Sequence, residues 1–338
     1  MKHAAPWKLA LALGLVYLSW GTTYLAIQEG VKTLPPALFA GSRVCLAGLL
    51  VLAFLRLSGG TVRLSWRDAL LAFLSGGLMF VVGNGLLTFA EKTVPSGAAA
   101  VLAATAPLWM ALLEAAWPHG ERLAWLGWLG LLMGLAGVAV LFSEKWVNQS
   151  APMLTGAGPF MVLGSAAGWA LGSALHRHGR SRAPHLTAAA YQMLFGGGSL
   201  AVMGLAMGET RDLAPACMTP VAIGAFFYLL VVGSIVGFIA FNWLLGHASV
   251  ALTGTYAYVN PVVALLVGWL LANETPTVAV VAGIVVILSG VALVRLGGVR
   301  RPGLFFHPAG SPSKPVKPAR PMGMAEPPTS IWNKSSRG

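Results

Sequence analysis

Charge is scarce in this chain. Charged residues make up 9% of its 338 positions, with only 10 acids against 22 Lys and Arg, where an ordinary soluble domain carries about 25%. So few charges cannot clothe a water-facing surface, which excludes soluble enzymes, transcription factors and disordered regulators. Two cysteines, Cys45 inside an apolar run and Cys217 at a loop edge, exclude a disulfide framework and are expected as free thiols. No G-x-x-x-x-G-K-[ST], H-E-x-x-H, C-x-x-C or G-x-S-x-G is present, so the chain has no P-loop and none of the catalytic motifs these patterns encode. The seven histidines lack metal spacing, and Gly83–Asn84–Gly85 lacks the third glycine of a dinucleotide loop. No catalytic residue, metal or cofactor is expected.

The net charge of +12 would suggest nucleic acid if read alone. From Gly297 onward, however, seven basic residues stand against the single Glu326, so half of the excess belongs to the tail. Residues 297–338 hold eight prolines between Pro302 and Pro328 with Ser, Gly and Lys, the composition of a disordered cytoplasmic tail. Its basic residues either bind anionic lipid or simply reinforce topology. No nucleic acid is expected.

What is present is apolar length. Ten runs of about 20 residues, the length that spans a bilayer as helix, cover Leu9–Ile27, Pro36–Leu57, Ala69–Ala90, Ser96–Trp117, Leu123–Phe142, Leu154–Leu175, His185–Met207, Val221–Leu245, Val250–Ala272 and Thr277–Leu296. Lys2 and Lys8 precede the first run as they would a signal peptide, but no small-residue cleavage site follows it, so it is expected as a membrane helix. None of the runs alternates in polarity as barrel strands do. With the N-terminus inside, 12 basic residues near membrane ends fall on the inner face, among them Arg56, Arg122, Arg177 and Arg295. Only Lys32, Lys92, Lys145 and Arg211 fall outside. The positive-inside rule then places both termini in the cytoplasm. The expected fold is an all-α integral membrane protein of ten helices.

Internal matches divide those helices. Trp20 matches Trp169 and Arg43 matches Gln192 at an offset of 149, Pro107 matches Pro261 at 154, and Glu121, Gly130 and Gly137 match Glu274, Gly283 and Gly290 at 153. The chain therefore reads as two repeats, residues 8–142 and 154–296. Five helices being an odd number, the second repeat enters the membrane from the opposite side, and inverted repeats of this kind place a transporter's substrate site near the midplane between them.

Polar groups inside the helices need a partner or a wet cavity. Arg43 lies about seven residues into the second run; it either faces a central cavity, where it would bind a substrate carboxylate or pair with a proton-carrying acid, or caps carbonyls and holds helices together. Tyr17, Trp20 and Tyr24 share one helical face, Asn84, Thr88 and Glu91 a second, Ser165, Trp169 and Ser173 a third, and Thr253, Tyr256 and Asn260 a fourth. Lipid-facing stripes do not collect hydroxyls, amides and indoles, so these faces point inward, as pocket lining or as hydrogen-bonding glue between helices. Pro107 and Pro261 free the carbonyls of Ala103 and Ala257, which makes both helices candidate hinges or static kinks. Glu114, near the inner end of the fourth run, either couples protons or reaches interfacial water. Gly130/Gly134, Gly164/Gly168/Gly172 and Gly233/Gly237 have the spacing of close helix contacts.

Taken together, Pro107…Gly120–Glu121…Gly130…Gly137 and Pro261…Asn273–Glu274…Gly283…Gly290 resemble the EamA family of the drug/metabolite transporter superfamily. Trp20–Gly21–Thr22–Thr23–Tyr24, Gly83–Asn84–Gly85, Ala90–Glu91, Val94–Pro95–Ser96–Gly97 and Thr255–Tyr256–Ala257–Tyr258–Val259–Asn260–Pro261 look most like its YedA-type exporters. The resemblance covers residues 8–296. It implies an inner-membrane carrier exporting small metabolites, amino acids and related compounds being the usual cargo, with Arg43, Asn84, Glu91 and the segment from Tyr256 to Pro261 at the family's polar positions. Gln192 stands where close relatives can have an acid, and Glu114 and the basic tail depart from the pattern.

The reading is an efflux carrier working by alternating access. Its cavity residues are Tyr17, Trp20, Tyr24, Arg43, Asn84, Thr88, Trp169, Gln192, Thr253, Tyr256 and Asn260. Its partners are a small-molecule substrate and membrane lipid, with protons as coupling ion and a second copy of the chain as further candidates. The alternatives are a polytopic membrane enzyme or receptor, or an importer of the same fold.

Overall fold

The computed structural model describes residues 5–94, 96–118, 120–148, 156–263, 278–297 and 299–300. The tail from residue 301, the second half of the ninth run (264–272), Glu274 and Thr277 lie outside the described residues.

Six helical spans are long and apolar enough to cross a membrane: Pro6–Val31, Pro36–Leu57, Trp66–Ala90, Gly158–His178, His185–Ala206 and Pro220–His247. They correspond to the first, second, third, sixth, seventh and eighth apolar runs. The chain is an all-α integral membrane protein. The first span is two helices, α1 (Pro6–Gly21) and α2 (Thr23–Val31). It breaks at Thr22, whose hydroxyl donates to the carbonyls of Leu18 and Ser19 at 3.1 and 3.0 Å and so competes with the helical ladder. The second span is α3 (Pro36–Leu57).

The third and eighth spans share an irregularity. In the third, α4 (Trp66–Gly76) and α5 (Leu86–Ala90) flank a π-helical stretch at Gly77–Gly85; in the eighth, α11 (Pro220–Tyr228) and α12 (Phe238–His247) flank one at Leu229–Gly237. Such i→i+5 turns are rare and often mark functional sites.

The fourth run corrects an expectation. It is two helices, α6 (Ser96–Ala103) and α7 (Ala106–Ala116), and Pro107 sits in the first turn of α7, where an absent N–H removes no bond. It is therefore no mid-helix kink. The fifth run is α8 (Trp125–Asn148), a helix that continues past Phe142, the expected end of the run, and takes in Lys145. The sixth and seventh are α9 (Gly158–His178) and α10 (His185–Ala206). In the ninth run, α13 (Val250–Gly254) is followed by a turn at Thr255 and by helix α14 (256–263); the break precedes Pro261, which lies inside α14. The tenth is α15 (Val278–Gly297). A two-residue antiparallel pair, β1 (Arg122–Leu123) with β2 (Val299–Arg300), joins the start of α8 to the end of α15, an element an all-helical reading does not anticipate.

Helices of the two halves pack against each other: α8 on α15, α3 on α10, the first π-helical stretch on α9, and α1 on α12. In lipid no hydrophobic force drives such pairing, so close backbone approach over small residues does. A Cβ on Gly130 would lie 2.6 Å from the Gly290 carbonyl oxygen, and one on Gly137 would lie 3.0 Å from that of Gly283. On α3, a Cβ at Gly41 would meet the Gly197 oxygen at 2.9 Å, and one at Gly48 the Ala190 oxygen at 2.7 Å. Each contact is reciprocal. The matched residues of the two halves exchange partners, as they do across an isologous two-fold interface.

Candidate functional site

A cavity of about 110 Å³ lies between the halves. The first span contributes Trp20 and Tyr24, α3 contributes Arg43, the π-helical stretches contribute Asn84 and Ser234, α9 contributes Ser165 and Trp169, and α14 contributes Tyr256 and Asn260. Seven of the residues expected from sequence thus come together: Trp20, Tyr24, Arg43, Asn84, Trp169, Tyr256 and Asn260.

The apolar wall is aromatic. The Trp20 and Trp169 rings meet edge to face at 5.3 Å, and Trp20 meets Tyr256 at 4.8 Å. Trp169 also packs on Phe80, and Phe80 on Phe238. Glycine makes room for both indoles: a Cβ on Gly237 would lie 2.8 Å from Trp20 Cδ1, and one on Gly83 would lie 3.1 Å from Trp169 Cε3. Edge-to-face pairs of this kind stabilise by about 0.5–1.5 kcal/mol beyond area burial, so the wall is preformed.

Arg43 is the polar centre. It is only 3% exposed. Its Nη1 donates to the Ser234 hydroxyl at 3.1 Å and to the Leu229 carbonyl at 3.4 Å, and its Nη2 donates to Asn84 Oδ1 at 3.2 Å. That carbonyl belongs to the first residue of the second π-helical stretch. Among the described residues Arg43 forms no salt bridge and its Nε has no hydrogen-bond partner. A buried guanidinium without counter-charge is costly, and an anion entering the cavity would relieve it.

Four expected cavity residues do not line the cavity. Tyr17 shares a 2.6 Å hydrogen bond with Thr255, Thr88 donates to the Asn84 carbonyl, and Thr253 donates to the Ser249 carbonyl; these hydroxyls satisfy helix contacts. Gln192 is fully buried, donating to the Ser75 hydroxyl at 2.8 Å and accepting from Asn242 Nδ2 at 2.5 Å. Sequence reasoning missed Ser234, whose signal was a hydroxyl beside Gly233 within an otherwise aliphatic span, and the aromatic rings Phe80 and Phe238.

A second cluster also escaped the sequence. Glu114 is buried rather than reaching water. Its Oε1 lies 3.7 Å from Arg177 Nε and its Oε2 lies 2.9 Å from His178 Nε2. Arg177 also pairs with Glu121 at 2.8 Å and donates to the Leu245 and Ala248 carbonyls at the end of α12. Trp117 stacks on His178. This network ties α7 of one half to α9 and α12 of the other.

The EamA-like transporter family model matches the chain twice, at residues 7–143 and 156–296. The inner membrane transporter YedA of Escherichia coli strain K12 is 38% identical over 288 residues, covering 85% of this chain and 90% of the relative. A probable terminal-alkyne amino-acid exporter of Streptantibioticus cattleyicolor is 28% identical over 297 residues, covering 85% and 93%. The transporter YvbV of Bacillus subtilis strain 168 is 25% identical over 297 residues, covering 87% and 94%. One solved crystal structure superposes with a TM-score of 0.71 at 23% identity, covering 86% of this chain and 98% of that one, which speaks for the fold alone. With both halves matched and the helical membrane fold in place, the chain belongs to the EamA-like transporter family.

Proposed function

We propose that the protein is a secondary carrier of the inner membrane that exports small amphiphilic metabolites bearing a carboxylate, such as amino acids and their derivatives, by alternating access. The observation that carries this reading is Arg43, a buried cation without an acidic partner among the described residues, set in a cavity whose other wall is aromatic. A carboxylate on the guanidinium and an apolar side chain against Trp20, Trp169 and Tyr256 would use both surfaces at once. The names of the Escherichia coli and Streptantibioticus relatives support inner-membrane location and amino-acid export.

In this reading ten membrane helices form two inverted five-helix repeats with both termini in the cytoplasm, and the tail follows. The reciprocal contacts of Gly130 with Gly290 and of Gly137 with Gly283 support the two-fold relation. That orientation puts Arg43 in the outer half of the bilayer and the Glu114–Arg177 network at the inner face, so the present conformation is closed inside. The return step carries protons. Glu91 is 3% exposed, and neither of its carboxyl oxygens has a hydrogen-bond partner among the described residues; it is the acid placed to take them.

The test is export by inside-out vesicles and by an overexpressing strain, measured against a panel of amino acids and toxic analogues. Arg43→Ala should keep expression and lose about tenfold to hundredfold in apparent affinity, the loss of a charged hydrogen bond. Unchanged export by that variant would sink the assignment.

A further inference from the structure

Arg43 and Gln192 occupy matching places. They are 149 positions apart, the same separation that relates Gly41 to Ala190 and Gly48 to Gly197, and those four residues form the reciprocal contacts between α3 and α10. Both side chains are buried, at 3% and 0% exposure. Each bonds one asparagine from its own half and one serine from the other half. For Arg43 these are Asn84 at 3.2 Å and Ser234 at 3.1 Å. For Gln192 they are Asn242 at 2.5 Å and Ser75 at 2.8 Å. The asparagines and serines all stand on the third and eighth spans, the two that carry π-helical stretches.

The two clusters differ in one respect: the Arg43 cluster borders the cavity, whereas Gln192, Asn242 and Ser75 bond one another away from it, with His176 against Asn242. Packing glue alone does not predict that matched positions in two halves should each collect an amide and a hydroxyl from the same pair of spans. In a carrier of inverted repeats one half rocks or gates against the other around the site, so matched clusters in the two halves would trade packed and open environments if the halves exchanged their arrangements.

We propose that Gln192, Asn242 and Ser75 form a second polar station for the transported molecule, lined when the cavity opens on the opposite side of the membrane. The inference rests on the alternating-access reading above. Its donors and acceptors are neutral amides and a hydroxyl, so this station takes the polar head of the amphiphile by hydrogen bonding without a fixed charge, and Arg43 alone supplies the charge contact.

The test uses full-length protein with Cys45 and Cys217 replaced by serine, in vesicles of both orientations, probed with a membrane-impermeant maleimide. Ser165→Cys reports on the present cavity and Asn242→Cys on the packed station. The expected result is labelling of the two from opposite faces. Adding Ser75→Ala, which removes one hydroxyl and keeps the backbone, should raise the Asn242→Cys labelling rate about twofold to tenfold, the population shift of one lost hydrogen bond, and lower that of Ser165→Cys. In the wild-type background, Gln192→Ala should alter the order of preference within the amino-acid panel. Asn242→Cys that stays unreactive from both faces, or reacts from the same face as Ser165→Cys, overturns the station. If export depends on Arg43 and the Ser165→Cys reporter is reactive, that failure leaves the carrier reading standing; if export ignores Arg43, the carrier reading itself has failed.

Discussion

The Trp20 indole nitrogen donates to the carbonyl of Gly233 at 3.0 Å, across 213 positions of sequence. The eighth span is π-helical there, a geometry frequent at functional sites, and it turns the Gly233 carbonyl toward the other half. The same turn brings Ser234 to Arg43. One local irregularity therefore sets both the aromatic wall and the polar centre of the cavity.

Trp20→Phe keeps a ring against Trp169 and Tyr256 but removes the N–H. The Gly233 carbonyl then loses its side-chain donor, a net cost of about 0.5–1.5 kcal/mol. The melting temperature in detergent is expected to fall by several degrees, and export to weaken with it.

Ser234→Ala removes one of the three oxygens that hold the Arg43 guanidinium. One hydrogen bond contributes about 1 kcal/mol, so the apparent KM for export should rise about fivefold. Expression measured by fluorescence-detected chromatography should not change; a variant with unaltered KM would show that the Ser234 contact does not position the arginine.

Arg177→Ala takes the cation from Glu121 and leaves Glu114 with His178 alone, both acids being nearly enclosed. Breaking a buried pair in this way costs about 3–5 kcal/mol, and the variant should melt far below the parent. Glu114→Gln is expected to be milder. In a double-mutant cycle the two changes should be strongly non-additive, the signature of one network.

Glu91→Gln removes the titratable group whose oxygens have no hydrogen-bond partner among the described residues and leaves the side-chain shape nearly unchanged. If Glu91 carries the coupling proton, export by the variant should lose its dependence on external pH while exchange of substrate for substrate persists. A pH profile identical to the parent would remove Glu91 from the coupling scheme.

Gly137→Leu places a branched side chain where the α8 backbone meets the Gly283 carbonyl and Ile287. Overpacking of this kind costs about 1–3 kcal/mol or more. The expected outcome is poor expression, with Gly14→Ala, at a glycine that faces open space, behaving as wild type.

Much was legible before any coordinates. The scarcity of charge and the length of the apolar runs determined a helical membrane protein, because a bilayer leaves uncharged helices of about 20 residues as the stable spanning form. Matches such as Trp20 with Trp169 pointed to the repeat, and Arg43 pointed to the cavity it lines, since a charge at that depth needs a reason. Helical spacing also predicted inward faces, yet it could not distinguish Trp20, which reaches the cavity, from Tyr17, which spends its hydroxyl on Thr255.

That distinction, and the rest, the tertiary structure decided. Arg43 meets Ser234 across 191 positions, Gln192 meets Ser75 across 117, and Glu114 meets His178 across 64. Such contacts depend on the rotation and crossing of each helix, and two π-helical stretches and the breaks at Thr22, Thr105 and Thr255 reset that rotation partway along the spans. Periodicity read along one chain assumes a regular helix, so it records that a side chain faces inward but not which neighbour from the other half it meets there.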